Sequence, residues 1–206
     1  MSREPLPRLH AITDERIARR GDLDDVAREL AAGGGADLAL HARGRLLSGL
    51  EHYELANGLA AYPPSRLFVN DRLDVALAAR AAGVQLGSGS LAPEDARRLN
   101  PVWWIGRSVH DLAEAEAARA AGADYLLVGP VFPTATHPGW VPLGVAALRE
   151  IVAIGPPVIA IGGVTADRVA DLVDAGVRGV AAIRALWDAL EPAAAARAML
   201  AELERR

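Results

Sequence analysis

The stretch from Tyr125 to Gly144, YLLVGPVFPTATHPGWVPLG, concentrates residues able to do chemistry. An apolar run breaks at Gly129-Pro130, and from Pro130 onward the chain carries four prolines, two threonines and a histidine before a helical pattern resumes at Val145. Connections in compact domains commonly take about four to six residues, and a much longer one usually binds or catalyses. His137 stands between Thr136 and Pro138 on this loop. An imidazole both accepts and donates a proton near neutral pH, so His137 is the expected general acid/base. Thr134 and Thr136 add hydroxyls beside it.

Further candidates end the other apolar runs: Thr13 and Asp14; His41, Arg43 and Arg45; Asn70 and Asp71; Ser88 and Ser90; Arg107, Ser108 and His110; Gly162, Gly163 and Thr165; Ile183 and Arg184. This set is cationic and rich in hydroxyls, although the whole chain is acidic, with 22 basic against 26 acidic residues. The inversion points to a small anionic ligand. Gly162-Gly163 would let a phosphate approach backbone amides and the helix start near Ala166. The turn at Ile183-Arg184 would close that site, with Arg184 as a bidentate donor.

Arg43 and Arg45 alternate, so one of them should face the ligand; Arg43 shares a face with His41 and is the choice, an outward salt bridge being the alternative. Asn70 and Ser108 would orient substrate. Asp71 reads equally as a base or as the cap of the helix that follows. His41 is the second proton-transfer candidate. His10 reads as structural and His52 as a surface residue, and His110 reads as lying too far beyond its strand. No acidic or histidine cluster has metal-ligand spacing, so no metal site is expected.

The elements that must position these residues alternate from end to end. Strand candidates occupy residues 9–13, 38–43, 66–70, 84–87, 103–109, 124–129, 157–163 and 179–183, separated by Ala/Leu/Arg/Glu-rich helical patterns such as 22–32, 111–121 and 166–175. Segments 31–37, 79–86, 118–128 and 173–183 each place a glycine between a helix and a strand, as left-handed helix caps do. Continuous rather than alternating apolar strands imply burial on both faces and a parallel sheet. Eight such units in 206 residues, with no break in composition, predict a single (β/α)₈ TIM-barrel domain over residues 1–206. In that fold the strand ends listed above converge on one mouth.

Composition excludes whole classes of function. There is no cysteine, hence no disulfide and no thiolate chemistry. There is also no lysine, which removes Schiff-base catalysis, a pyridoxal-phosphate anchor and a Walker-type phosphate lysine. The mild acidity gives nucleic acid no footprint, and no apolar run suits a membrane span, so a cytoplasmic protein is expected. Trp103, Trp104 and Trp140 leave room for an apolar contact in a homodimer.

The motifs HAITDE (10–15), HARGR (41–45), VNDRLDVAL (69–77), VQLGSGSLAPEDAR (84–97), IGRSVHDLAEAEAA (105–118), ADYLLVGPVFPTATHPG (123–139) and IGGVTADRV (161–169) resemble, in order and spacing, the thiamin phosphate synthase superfamily over nearly the whole chain. Within it the chain looks like the thiazole tautomerase (TenI) branch. Synthases carry Gln-Leu-Arg-Glu-Lys after the second strand, where this chain has His41 to Arg45. They carry Gly-Gln-Glu-Asp after the fourth, where this chain has Gly87 to Ser90, and Thr-x-Thr-Lys where it has Thr134 to His137. One magnesium carboxylate and both lysines are thus replaced. The resemblance therefore implies metal-independent aromatisation of a carboxylated thiazole phosphate by acid/base proton transfer, with no cofactor. The alternatives it leaves are a thiamin phosphate synthase joining a pyrimidine pyrophosphate to a thiazole phosphate with Mg²⁺, and a catalytically inactive thiazole-phosphate-binding barrel. The tautomerase type has its catalytic histidine where this chain has Pro130, so either His137 has taken that role or the activity is lost or changed.

Overall fold

A computed structural model of the chain describes residues 3–134 and 139–205. Eight parallel strands close into a barrel: β1 Leu9–Ile12, β2 Leu38–Ala42, β3 Arg66–Asn70, β4 Gly83–Leu86, β5 Trp104–Val109, β6 Tyr125–Val128, β7 Val158–Ile161 and β8 Gly179–Ala182. Each pairs with the next in chain order, and β8 returns to β1. The expected strands are all present, their ends moved by at most two residues. The expected fold is therefore the observed one, with helices covering the outside of a closed parallel sheet.

Strand alternation divides the interior into two sets of side chains. Leu38, Leu40, Ala42, Val69, Val84, Ile105, Leu126 and Val128 point outward and join the large apolar layer under the helices. Ile12, Ala39, Phe68, Tyr125, Leu127, Ile159 and Ala181 fill the bore. The bore is narrow, and its aromatic rings fit because glycines face them. A Cβ on Gly83 would strike the Phe68 ring, and one on Gly106 would strike the Tyr125 ring and Gln85 Oε1. Gly83 was expected to cap a helix; it is instead the first residue of β4, and the left-handed turn before it is made by Arg80 at φ 54°. The caps expected in the other three segments are present, with positive φ at Gly35, Gly122 and Gly176.

The segment before β1 closes the base of the barrel. Leu6 is buried in the bore cluster. Arg3 Nη1 and Nη2 donate to Asp124 at 2.7 and 3.1 Å, and Ile105 N–H donates to the same carboxylate at 2.8 Å. Arg97 also pairs with Asp124, and these hydrogen bonds hold its carboxyl below the usual range against the opposing effect of burial.

Trp103, Trp104 and Trp140 sit in different surroundings. Trp103 is buried in the core, and Trp104 lies under the Arg3 guanidinium at 4.2 Å and donates to Glu4 O at 3.0 Å. Trp140 packs beside His110, which follows the opposite end of β5. Among the described residues, no helix is long and apolar enough to cross a membrane.

Gly106→Ala should destabilise the fold by about 1–3 kcal/mol, since one methyl must displace both Tyr125 and Gln85 from a filled bore. Urea unfolding checks this, and a loss well below that range would mean the bore relaxes easily.

Candidate active site

Above Ile12, Leu127 and Ala181, the bore opens into a cavity of about 380 Å³ at the C-terminal ends of the strands. That volume suits a small-molecule ligand. Its wall includes Arg43 and Arg45 after β2, Asn70 and Asp71 at β3, Ser88 after β4, Ser108 and His110 at β5, Thr134 after β6, Gly162 and Gly163 after β7, and Ile183 and Arg184 after β8. These residues come from the ends of seven strands and the loops that follow them, and barrel closure brings them together. Thr136 and His137 lie outside the described residues, so the expected catalytic imidazole has no position to report.

The expectation that one of Arg43 and Arg45 faces the ligand is corrected: residues two apart share a face in extended chain, and beyond the end of β2 at Ala42 both guanidiniums line the cavity. Thr13, buried at the end of β1, fixes the loop start: its hydroxyl oxygen accepts Arg43 N–H at 2.8 Å. Asp14 serves locally, accepting Ile17 N–H at 2.9 Å as a helix cap. Burial pulls the Arg43 guanidinium below its ordinary pKa, and Arg45 beside it acts in the same direction. An arginine stays cationic in a protein all the same.

Asp71 adopts a left-handed backbone at φ 63° and leaves the next helix uncapped. Its Oδ1 instead accepts from Gly87 N–H at 2.8 Å and from the Ser90 hydroxyl, tying β3 to the loop after β4. Ser90 thus binds the carboxylate that remains where the synthase pattern has two. Arg107 is occupied below the mouth, donating to Ser88 O at 3.3 Å and Leu91 O at 3.2 Å.

Asp71 is the single carboxylate lining the cavity among the described residues, and none of these residues form a group of three metal-ligating side chains. A free-standing magnesium site does not fit this set. A magnesium ion carried on substrate phosphates needs only one or two carboxylates, and Asp71 Oδ2 accepts from no described residue. The residues fit Mg²⁺ in that second form.

Gly162 and Gly163 sit at φ 95° and 66°. A side chain on Gly162 would be strained there and would approach Pro130 Cα at 2.6 Å. A short 3₁₀ turn, Ala166–Arg168, follows the double glycine, and the α-helix begins only at Val169. Across the gap to β8, the helix Arg184–Trp187 starts against the same cavity. Its first amides lack partners within the helix, as at any helix start.

Three histidines differ from their sequence reading or were missed. His52 is buried rather than exposed, and its Nε2 lies 3.0 Å from Ala42 O. His41 is fully buried and does not line the cavity: Nε2 meets His10 Nδ1 at 2.8 Å and Nδ1 meets Asn70 at 3.0 Å. His110, set aside in the sequence, lines the cavity; its Nδ1–H donates to Gly129 O, which makes Nε2 the acceptor nitrogen of the neutral ring. Arg168 was also missed: it lines the cavity, stacks over Phe132 at 4.9 Å and donates to Gly163 O at 2.7 Å. The signal for it was its place two residues into the helical pattern after the double glycine.

The sequence profile described as thiamine monophosphate synthase matches residues 9–186. The chain belongs to this family. It is 43% identical to the thiamine-phosphate synthase of Methanoculleus marisnigri, covering 93% of this chain and 92% of that one. With the thiamine-phosphate synthase of Mycolicibacterium gilvum it is 39% identical, over 96% and 88%. The thiamine phosphate pyrophosphorylase structure from Pyrococcus furiosus superposes with a TM-score of 0.83 at 35% identity, over 96% and 95%. These relatives overturn the tautomerase expectation: near 40% identity over most of their length, they carry the synthase name. The physical reason is that each departure was read as a loss. Arg45 still places a cation on the β2 side of the mouth, and Asp71 still offers a carboxylate oxygen.

Two predictions follow from this geometry. Gly162→Ala should weaken binding of inorganic phosphate about tenfold or more, because the added methyl blocks the close approach to the amides. Isothermal titration measures this, and an unchanged affinity would place phosphate elsewhere. The second concerns acid stability. Burial holds His41 at about 4, below the ordinary 6.5, and burial with the neighbouring His41 ring holds His10 well below its ordinary value too. Between these values the unfolded chain binds more protons than the folded one. Stability should therefore fall as pH drops from 6.5 toward 4, by up to about 1.4 kcal/mol per pH unit for each ring. Urea midpoints at pH 7, 6 and 5 test it, and a flat series would contradict it.

Proposed function

We propose that this chain is a thiamine-phosphate synthase, a transferase that joins a pyrimidine diphosphate to a thiazole phosphate and releases diphosphate. The observation that carries the reading is the placing of two regions suited to anions at separate places around one cavity. Arg43, Arg45 and Asp71 stand at β2 and β3, and the Gly162-Gly163 turn with Arg184 stands at β7 and β8, with β1 between the two groups. A substrate pair with one phosphorylated end each matches that separation. The names of the relatives support the same choice.

The chemistry asks for charge stabilisation rather than proton relay. The carbon–oxygen bond to diphosphate breaks, a carbon–nitrogen bond forms to the thiazole ring nitrogen through its own lone pair, and negative charge collects on the leaving group. Arg43 and Arg45 would hold that charge in a partly buried setting where fixed cations act strongly. Asp71 would hold Mg²⁺ arriving on the diphosphate, which when bound neutralises part of the same charge. Gly162, Gly163, Ile183 and Arg184 would bind the thiazole phosphate, and Ser108, Asn70 and Thr134 would orient the rings between the two ends. Burial of His41 away from the cavity agrees with a reaction that needs no imidazole base.

Purified protein given pyrimidine diphosphate, thiazole phosphate and Mg²⁺ should form thiamin phosphate with multiple turnovers, and EDTA should slow it about tenfold or more. Product detection by oxidation to a fluorescent thiochrome reads both arms. No product under these conditions would remove the synthase reading, and product indifferent to EDTA would remove the role given to Asp71.

A further inference from the structure

Two fully buried ionisable side chains, His10 and His41, have no part in the chemistry above, yet they run from the base of the bore to its mouth. His10 Nε2 lies 3.0 Å from Pro7 O, His10 Nδ1 lies 2.8 Å from His41 Nε2, and His41 Nδ1 lies 3.0 Å from Asn70 Oδ1. Each of these three contacts needs one hydrogen. Two neutral imidazoles carry one N–H each and supply two.

The Pro7 carbonyl only accepts, so the hydrogen of His10 sits on Nε2 and leaves Nδ1 bare. That bare nitrogen takes the hydrogen of His41 from Nε2, which leaves His41 Nδ1 bare as well. With Oδ1 facing it, two acceptors would meet at 3.0 Å inside the barrel. A third proton on the pair would cure this, but both rings are fully buried and hydrogen-bond to no carboxylate. Burial also holds both rings below their ordinary pKa. Turning the carboxamide cures it without changing any contact, because its nitrogen and oxygen are alike in shape.

We infer that the His10–His41 pair turns Asn70 so that its NH₂ donates to His41 Nδ1 and its carbonyl oxygen faces the cavity, making this point of the wall an acceptor for a ligand N–H or O–H group and no donor to phosphate. His10 and His41 are positioning residues on this view. Asn70 lines the cavity next to Asp71, so a carbonyl there turns phosphate oxygens toward Arg43, Arg45 and the double glycine. A ring bearing an N–H donor is held at Asn70 instead. The assignment of that ring rests on the synthase reading; the orientation of the amide does not.

The test uses the full chain labelled with ¹⁵N in its histidine rings, read by NMR at neutral pH. His10 and His41 are both expected to carry hydrogen on Nε2 and none on Nδ1. Hydrogen on His41 Nδ1, or a doubly protonated ring at either position, overturns the inference. A second arm is His10→Phe, which removes the acceptor for His41 Nε2–H. The His41 hydrogen is then expected to move to Nδ1, the amide to reverse, and affinity for inorganic diphosphate to rise about threefold to tenfold as an NH₂ enters the cavity wall. Unchanged or weaker diphosphate binding by folded His10→Phe also overturns it. Should that variant not fold, the wild-type spectrum decides alone. Neither arm depends on turnover, so failure of the synthase reading and failure of this one remain distinguishable.

Discussion

The bore of an eight-stranded barrel leaves little space for inward side chains, and the rest of this structure follows from how that space is used. Phe68 and Tyr125 occupy it because Gly83 and Gly106 offer no Cβ opposite them. Close packing of this kind is intolerant of added volume. Several polar side chains in the bore nevertheless meet one another directly. His10 and His41 do so in series, and Gln85 donates to Ser108 at 3.0 Å. Both chains end on residues of the cavity wall, Asn70 and Ser108. Core packing and ligand recognition are thus joined by hydrogen bonds one or two side chains long.

The two ends of the barrel are held by different means. At the base, the Asp124 carboxylate gathers Arg3, Arg97 and the Ile105 amide into one partly buried cluster. At the mouth, neighbouring strands are tied by short side-chain-to-backbone bonds: Thr13 to the loop after β2, Asp71 to Gly87, His110 to Gly129. Each tie spends a residue that could otherwise meet ligand. Asp71 Oδ2 and His110 Nε2 are not used by these ties.

The strands were legible because residues buried on both faces must be continuously apolar, and the double glycine was legible because a phosphate loop needs a bare backbone. Gly83 misled because a glycine between a helix and a strand looks the same whether it makes a turn or makes room for Phe68. The partner that decides lies fifteen residues earlier in the chain. His110 and Arg168 were placed poorly because each lies where the chain leaves regular geometry, and that is set by tertiary ties such as His110 to Gly129. His52 sits on a regular helix, and what hid its burial is its partner, the Ala42 carbonyl at the end of β2. The choice of chemistry failed differently: substitutions were weighed singly, whereas what a charged site conserves is its summed charge and the positions from which it acts.

The cavity is ringed by four guanidiniums, Arg43, Arg45, Arg168 and Arg184, in a chain without a single lysine. A guanidinium does not lose its proton at any pH where the fold survives, so the positive field at the mouth is constant across the working range. It is also beyond the reach of acetylation, the common reversible means of discharging a side-chain cation. Control of this cavity by acyl transfer to its cations is chemically closed.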